Sequence, residues 1–88
     1  MVSQLVRITN PTGLHLRPAG NLCREAVKFR CKITFQYDGD NTANAKSVLS
    51  VLGSCVAMGD EILLICEGED EEDALSYLVD FIERGLDD

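Results

Sequence analysis

The chain has 88 residues, 45% of them hydrophobic, and a formal net charge of −7, which allows one small core over residues 1–88 and leaves no room for a second domain. So acidic a balance argues against nucleic acid as the main partner. No run is long and apolar enough to span a membrane, and the N-terminus lacks a basic segment followed by an apolar one, so we expect a cytoplasmic protein without signal peptide or membrane insertion.

Val2 to Thr9 alternates well enough for a strand with Val6 and Ile8 on one face, and Asn10-Pro11-Thr12-Gly13 follows as a turn. Pro18 has a fixed φ and no N–H, which suits the first turn of a helix, so a helix begins near residues 15–17. Its apolar face is Ala19, Leu22, Cys23, Ala26 and Phe29, with Arg17, Arg24 and Lys28 on another face. Gly20 inside it costs about 1 kcal/mol relative to Ala, so it either permits close packing or is merely tolerated. Cys31 to Tyr37 reads as a strand, and Asp38-Gly39 as a hairpin turn into a short strand at residues 41–44. One face of that sheet is expected under helices and the other is expected polar.

Ser47 looks like an N-cap for a short helix carrying Val48, Leu49, Val51 and Leu52 and ended by Gly53. Either all four apolar residues pack in the core or part of the set forms a protein-docking patch. The run from Ile62 to Cys66 reads as a central strand closed by Gly68. A last helix starts near Asp70, its acidic run 69–73 capping the positive dipole end and its stripe Ala74, Leu75, Leu78, Phe81 and Ile82 buried. Gly85 ends it, with a frayed tail beyond. The order β-α-β-β-α-β-α gives an α+β fold, a four-stranded antiparallel sheet with three helices on one face.

The only histidine, His15, falls at the start of the first helix, two residues before Arg17. Helix-terminal N–H groups favour the neutral imidazole, leaving a ring nitrogen free to act as a nucleophile. The same groups and the Arg17 guanidinium suit the oxygens of a phosphoryl group placed on that nitrogen. The bland alternative is a capping histidine beside a solvated arginine. Charge is unevenly distributed: residues 1–46 carry seven bases against three acids, and residues 47–88 twelve acids against Arg84 alone. His15 therefore lies in a basic half whose rim would steer acidic partner surfaces toward it. Cys23, Cys31, Cys55 and Cys66 form no C-x-x-C pair and sit among apolar residues, which reads as buried reduced thiols rather than a metal site or disulfides.

The stretch Gly13-Leu14-His15-Leu16-Arg17-Pro18-Ala19-Gly20 resembles the active-site signature of HPr, the histidine phosphocarrier family of the bacterial phosphoenolpyruvate-dependent sugar phosphotransferase system. Asn44-Ala45-Lys46-Ser47 and Glu67-Gly68-Glu69-Asp70-Glu71 also stand where that family has them. The resemblance implies the open-faced β-sandwich of that family, with His15 as phosphoryl acceptor and Arg17 as the group that pairs with the phosphoryl oxygens. It implies transfer from Enzyme I to the IIA domains of sugar permeases by a carrier that is not itself an enzyme and needs no metal or cofactor. It further implies Ser47 as a regulatory site for a kinase, HPr kinase/phosphorylase, that turns such carriers into partners of a catabolite regulator. Leu16, Arg24, Lys28, Val48, Leu49 and Leu52 are then the expected partner-binding residues, on a monomer. An alternative is a regulatory paralogue, nitrogen-related or catabolite-related, acting by protein binding rather than in sugar uptake. Regulatory relatives outside sugar transfer typically lack the histidine that this chain keeps. Leu16 stands where the family more often has Ala or Thr, and the segment Ser50 to Met58, which includes VLGSCVAM, departs from its usual Met-Ser-Leu-Gly type of sequence.

Overall fold

The computed structural model describes residues 1–87. Its elements are β1 (Val2–Arg7), α1 (Leu16–Ala26), β2 (Lys32–Tyr37), β3 (Asn41–Asn44), α2 (Val48–Gly53), β4 (Glu61–Glu67) and α3 (Glu71–Glu83). The strands form one antiparallel sheet in the order β1-β4-β2-β3. The strand with the most continuous apolar run, β4, is thus central, as its sequence required.

Period-two alternation sends Ile33 and Phe35 of β2, Ile62, Leu64 and Cys66 of β4, and Val6 of β1 under the helices, where all are buried. They meet Ala19, Leu22 and Ala26 of α1, Val51 of α2, and Ala74, Leu78, Val79, Phe81 and Ile82 of α3. The opposite face is less polar than expected. Leu5, 59% exposed, lies across from Leu63, and Ile65 follows two residues along β4.

Four local expectations need correction. Of the tail expected to be frayed, Asp88 lies outside the described residues and Leu86 is fixed: Gly85 (φ +98) and Leu86 form a Schellman motif in which Leu86 N–H donates to Phe81 O (3.1 Å) and Gly85 N–H to Ile82 O (3.0 Å). That turn drops Leu86 into the core with no exposed surface, and Asn21 Nδ2 holds its carbonyl at 2.9 Å. Second, Gly53 is the last residue of α2, as expected, but the chain turns left-handed two positions later, at Cys55 (φ +54). Third, Asp70 does not cap α3 with its side chain. Its carboxylate instead accepts the backbone N–H groups of Arg30 and Cys31, both at 2.9 Å, which fastens the start of β2 to the start of α3 and holds this carboxyl below its ordinary pKa. Fourth, the cysteines divide: Cys31 and Cys66 are buried, Cys23 is half-buried with its thiol donating to Lys46 O (3.0 Å), and Cys55 is exposed.

The acid Glu25 is buried on α1 and joins it to α3. Its Oε1 accepts from Lys28 Nζ at 2.8 Å and from the Tyr77 hydroxyl, and its Oε2 from Arg24 Nε at 3.2 Å. The Lys28 and Tyr77 hydrogen bonds, with a smaller contribution from Arg24, hold this carboxyl at about 2 instead of 4.5. A depressed carboxylate pKa adds stability that is complete above the unfolded value and vanishes as pH falls through the folded one. The chain should therefore lose urea resistance between pH 5 and 2, whereas Glu25→Gln, destabilised by about 2 kcal/mol at neutral pH, should show a flatter profile across that window. A Cβ at Gly20 would meet nothing within 4 Å. Gly20→Ala should thus raise stability by roughly 0.5–1 kcal/mol in the same urea titrations.

Candidate functional site

The site begins with the loop after β1. Gly13 adopts φ +63, and a Cβ there would lie 2.6 Å from Val56 O and 2.7 Å from Ala57 Cα, so only glycine permits this approach of two backbones. Asn10 Nδ2 closes the turn on Gly13 O (2.7 Å), and Leu14 N–H donates to Val56 O at 2.9 Å. With Leu14 buried, the next residue, His15, is delivered to the N-cap of α1 in an extended conformation (φ −72, ψ −179).

His15 is exposed, and its side chain makes no capping hydrogen bond. Its carbonyl accepts Ala19 N–H at 2.8 Å, the first bond of the helix. The amides of Leu16 and Arg17 precede that bond and have no intrahelical acceptor, while Pro18 occupies the third position with no N–H to satisfy. The helix therefore presents two donors and its positive dipole end at the root of an uncommitted imidazole. Arg17 is exposed, and its guanidinium has no partner among the described residues.

Two clefts meet at His15. One, about 250 Å³, is lined by Thr12, Leu14, His15, Leu52, Cys55, Val56 and Ala57. The other is a shallow depression shared by Thr12, His15, Leu16, Arg17, Pro18 and Asp87. The structure thus unites His15, Leu16, Arg17 and Leu52. On α2, Leu49 is 83% exposed, Val48 and Leu52 are half-buried, and only Val51 joins the core, which settles the expected alternatives in favour of a partly exposed apolar face. Ser47 caps this helix, its Oγ accepting Ser50 N–H at 3.2 Å.

The expected basic rim is thinner than the sequence suggested. Arg24 and Lys28 both lean on Glu25, Lys46 Nζ donates to Phe29 O (2.6 Å), and Arg7 Nη1 donates to Gly59 O (2.7 Å). Arg17, Arg30 and Lys32 are the basic side chains of the first half without partners among the described residues. Arg24, two turns of α1 beyond Arg17, and Lys28, past the end of that helix, serve the α1–α3 contact and do not line either cleft at His15.

Sequence reasoning missed Asp87 and Cys55 at the site. The apolar Leu86 just after Gly85 was a usable signal for the first, since a hydrophobic residue at that place folds back on its helix. Nothing local marked the second, because Gly53 offered a more ordinary helix end.

The family model described as PTS-HPr, the PTS HPr component phosphorylation site, matches residues 2–84. The chain is 41% identical over 78 residues to the phosphocarrier protein HPr of Buchnera aphidicola, covering 89% of this chain and 91% of that protein. It is 38% identical over 84 residues to the HPr-like protein Crh of Halalkalibacterium halodurans, covering 96% and 99%. The crystal structure of HPr-C-His from Thermoanaerobacter tengcongensis superposes with a TM-score of 0.93 at 38% identity, over 98% of this chain and 96% of that one.

The four thiols provide a check on the site's surface. Burial pushes the Cys66 thiol up to about 12, with Cys31 and Asp70 adding to the rise, and burial also raises Cys31. Iodoacetamide should accordingly label Cys55 first and Cys31 and Cys66 only on unfolding, as read by mass spectrometry of digests.

Proposed function

Because the chain belongs to the HPr family of the phosphotransferase system, we propose that it carries a phosphoryl group on His15 between phospho-Enzyme I and the IIA domains of sugar permeases in the cytoplasm. The observation that supports this most is the exposed His15 side chain, which leaves the capping role unfilled and stands at a helix start beside an arginine that has no partner among the described residues. A ring nitrogen attacks phosphorus as the bond to the donor's histidine breaks, and the reverse exchange delivers the group onward. During residence, the phosphoryl oxygens face the Leu16 and Arg17 amides and the Arg17 guanidinium. These groups stabilise the dianion without a metal. The nitrogen–phosphorus bond keeps the group transferable to another histidine, and docking through Leu16, Leu49 and Leu52 supplies the alignment. The chain is in this reading a substrate of phosphotransferases, not a catalyst.

Ser47 fits a second, regulatory phosphorylation. A phosphate at an N-cap is compatible with its helix, so its effect would come from repelling acidic partners next to Leu49 and Leu52 rather than from unfolding α2. The similarity to an HPr-like protein named Crh favours, as a second reading, a regulatory relative in which phosphorylation serves as the signal and sugar uptake is not served.

Incubation with phosphoenolpyruvate and the organism's Enzyme I should add one acid-labile phosphoryl group, absent in His15→Ala and formed at least about tenfold more slowly in Arg17→Ala. Onward transfer to a panel of sugar IIA domains separates the readings: rapid transfer supports the carrier, and retention of the label supports the regulator. A histidine left unlabelled by Enzyme I would overturn both.

A further inference from the structure

We propose that the free edge of β1, together with the groove between β1 and α3, is a docking surface for an extended basic segment of another protein, added to the sheet as a fifth strand. None of the groove's residues lines either cleft at His15, so this inference stands apart from the phosphocarrier reading.

Three observations converge. The first is the edge itself. Ile8 N–H donates to Asp60 O at 2.9 Å, so antiparallel alternation turns the backbone groups of Val2, Gln4 and Val6 toward β4 and those of Ser3, Leu5 and Arg7 outward. No hydrogen bond reaches those outward groups among the described residues. The edge is lightly protected: it has six residues in unbroken register, no proline, no lysine and an exposed Leu5, and its one charged side chain, Arg7, lies at its far end from Val2 and pairs with Glu61 at 3.8 Å.

The second is the groove, about 350 Å³, that runs beside this edge on the helix side. Val2, Leu75 and Val79 give it an apolar floor, and Glu72, Asp80 and Glu83 of α3 give it an acidic rim. Only Asp80 has a basic partner, Arg84 at 2.8 Å; Glu72 and Glu83 have none among the described residues. The third is length. From Glu72 to Glu83 the helix rises about 16 Å, which matches the roughly 16 Å spanned by six residues of strand. A strand added to β1 would turn alternate side chains toward α3. The outer two can carry ammonium or guanidinium groups to Glu72 and to Asp80 and Glu83, and the middle one can place an apolar side chain on Val2, Leu75 and Val79.

The same charges select the occupant. A second copy pairing through its own β1 would bring its α3 alongside on the same side of the sheet, setting acidic rim against acidic rim. A basic strand meets complementary charge instead.

The test is a titration of the full-length, nitrogen-15-labelled protein with a synthetic six-residue peptide, Lys-Thr-Val-Leu-Lys-Thr, followed by amide chemical shifts and hydrogen exchange. We expect shifts at β1 and α3, with the Ser3, Leu5 and Arg7 amides exchanging at least about tenfold more slowly when peptide is bound. Affinity should fall about fivefold or more in Glu72→Gln/Glu83→Gln, whose surface changes leave the fold intact, and with rising salt. A peptide with Glu in place of Lys should not bind. The proposal is overturned by absence of binding at millimolar peptide, by shifts confined to Leu16, Leu49 and Leu52, or by affinity unchanged in the double variant. Protection of the three amides by raising protein concentration alone would also overturn it, identifying a second copy as the occupant.

Discussion

The approach of two backbones at Gly13 and Val56 sets the geometry on which the rest of the site depends. Without a side chain at residue 13, the strand β1 can turn sharply, seat Leu14 in the core and hand its next amide to Val56 O. That contact does two things at once. It fixes the starting point of α1, and it brings the segment following α2 against the same loop, so that Leu52 and Cys55 form a wall beside His15. Elements distant in sequence thereby share one small surface, and no side chain of the site itself is needed to hold it together.

Because the loop and the helix start are positioned by backbone contacts, the chemically useful groups remain unspent. The capping duty usual for an N-cap side chain is absent from His15, and Arg17 has no partner among the described residues. Farther along α1 and just past its end the opposite holds. Arg24 and Lys28 neutralise a buried carboxylate that also receives the Tyr77 hydroxyl from α3. Basic charge in the first half of the chain therefore divides into a structural set, which secures packing, and a small free set in which Arg17 alone adjoins the histidine. Long-range steering by a broad positive rim is weaker than the count of bases suggests, and in the proposed carrier more of the phosphoryl recognition would fall to the local guanidinium.

Much of this could be read in the amino acids because the informative signals were short-range. Alternation in residues 31–37, the apolar run in β4, and Pro18 in the first turn of α1 specify element type whatever the surroundings. Ser47 declared itself as a cap for the same reason. The errors arose where a long-range contact overrode a local preference. Asp70 looked like a helix cap and serves instead to bind the amides of Arg30 and Cys31, which no local rule could reveal. Leu86 reads as tail by its distance from the helix, yet a hydrophobic residue just after Gly85 folds back on its helix. Leu5, Leu63 and Ile65 fit an alternating pattern only when the strand order is known, since each is tolerable singly and they become a patch through pairing.

Strand order also explains why the free β1 edge and His15 lie on different surfaces. A central β4 obliges β1 to lie at the sheet's edge, and α3, which follows β4 directly, packs over that side. Since α3 carries five of the twelve acids of the second half, the edge acquires negative charge, whereas the turn out of β1 conveys His15 and Arg17 to a different surface. In the phosphocarrier reading proposed above, acidic partner surfaces are repelled at the β1 edge, which favours their encounter at the histidine. The same separation means that charge added near Ser47 would act on the histidine pole through its immediate neighbours, Leu49 and Leu52, while leaving the β1 edge unaffected beyond a Debye length. Topology, more than any single ion pair, is what keeps the two surfaces electrostatically independent.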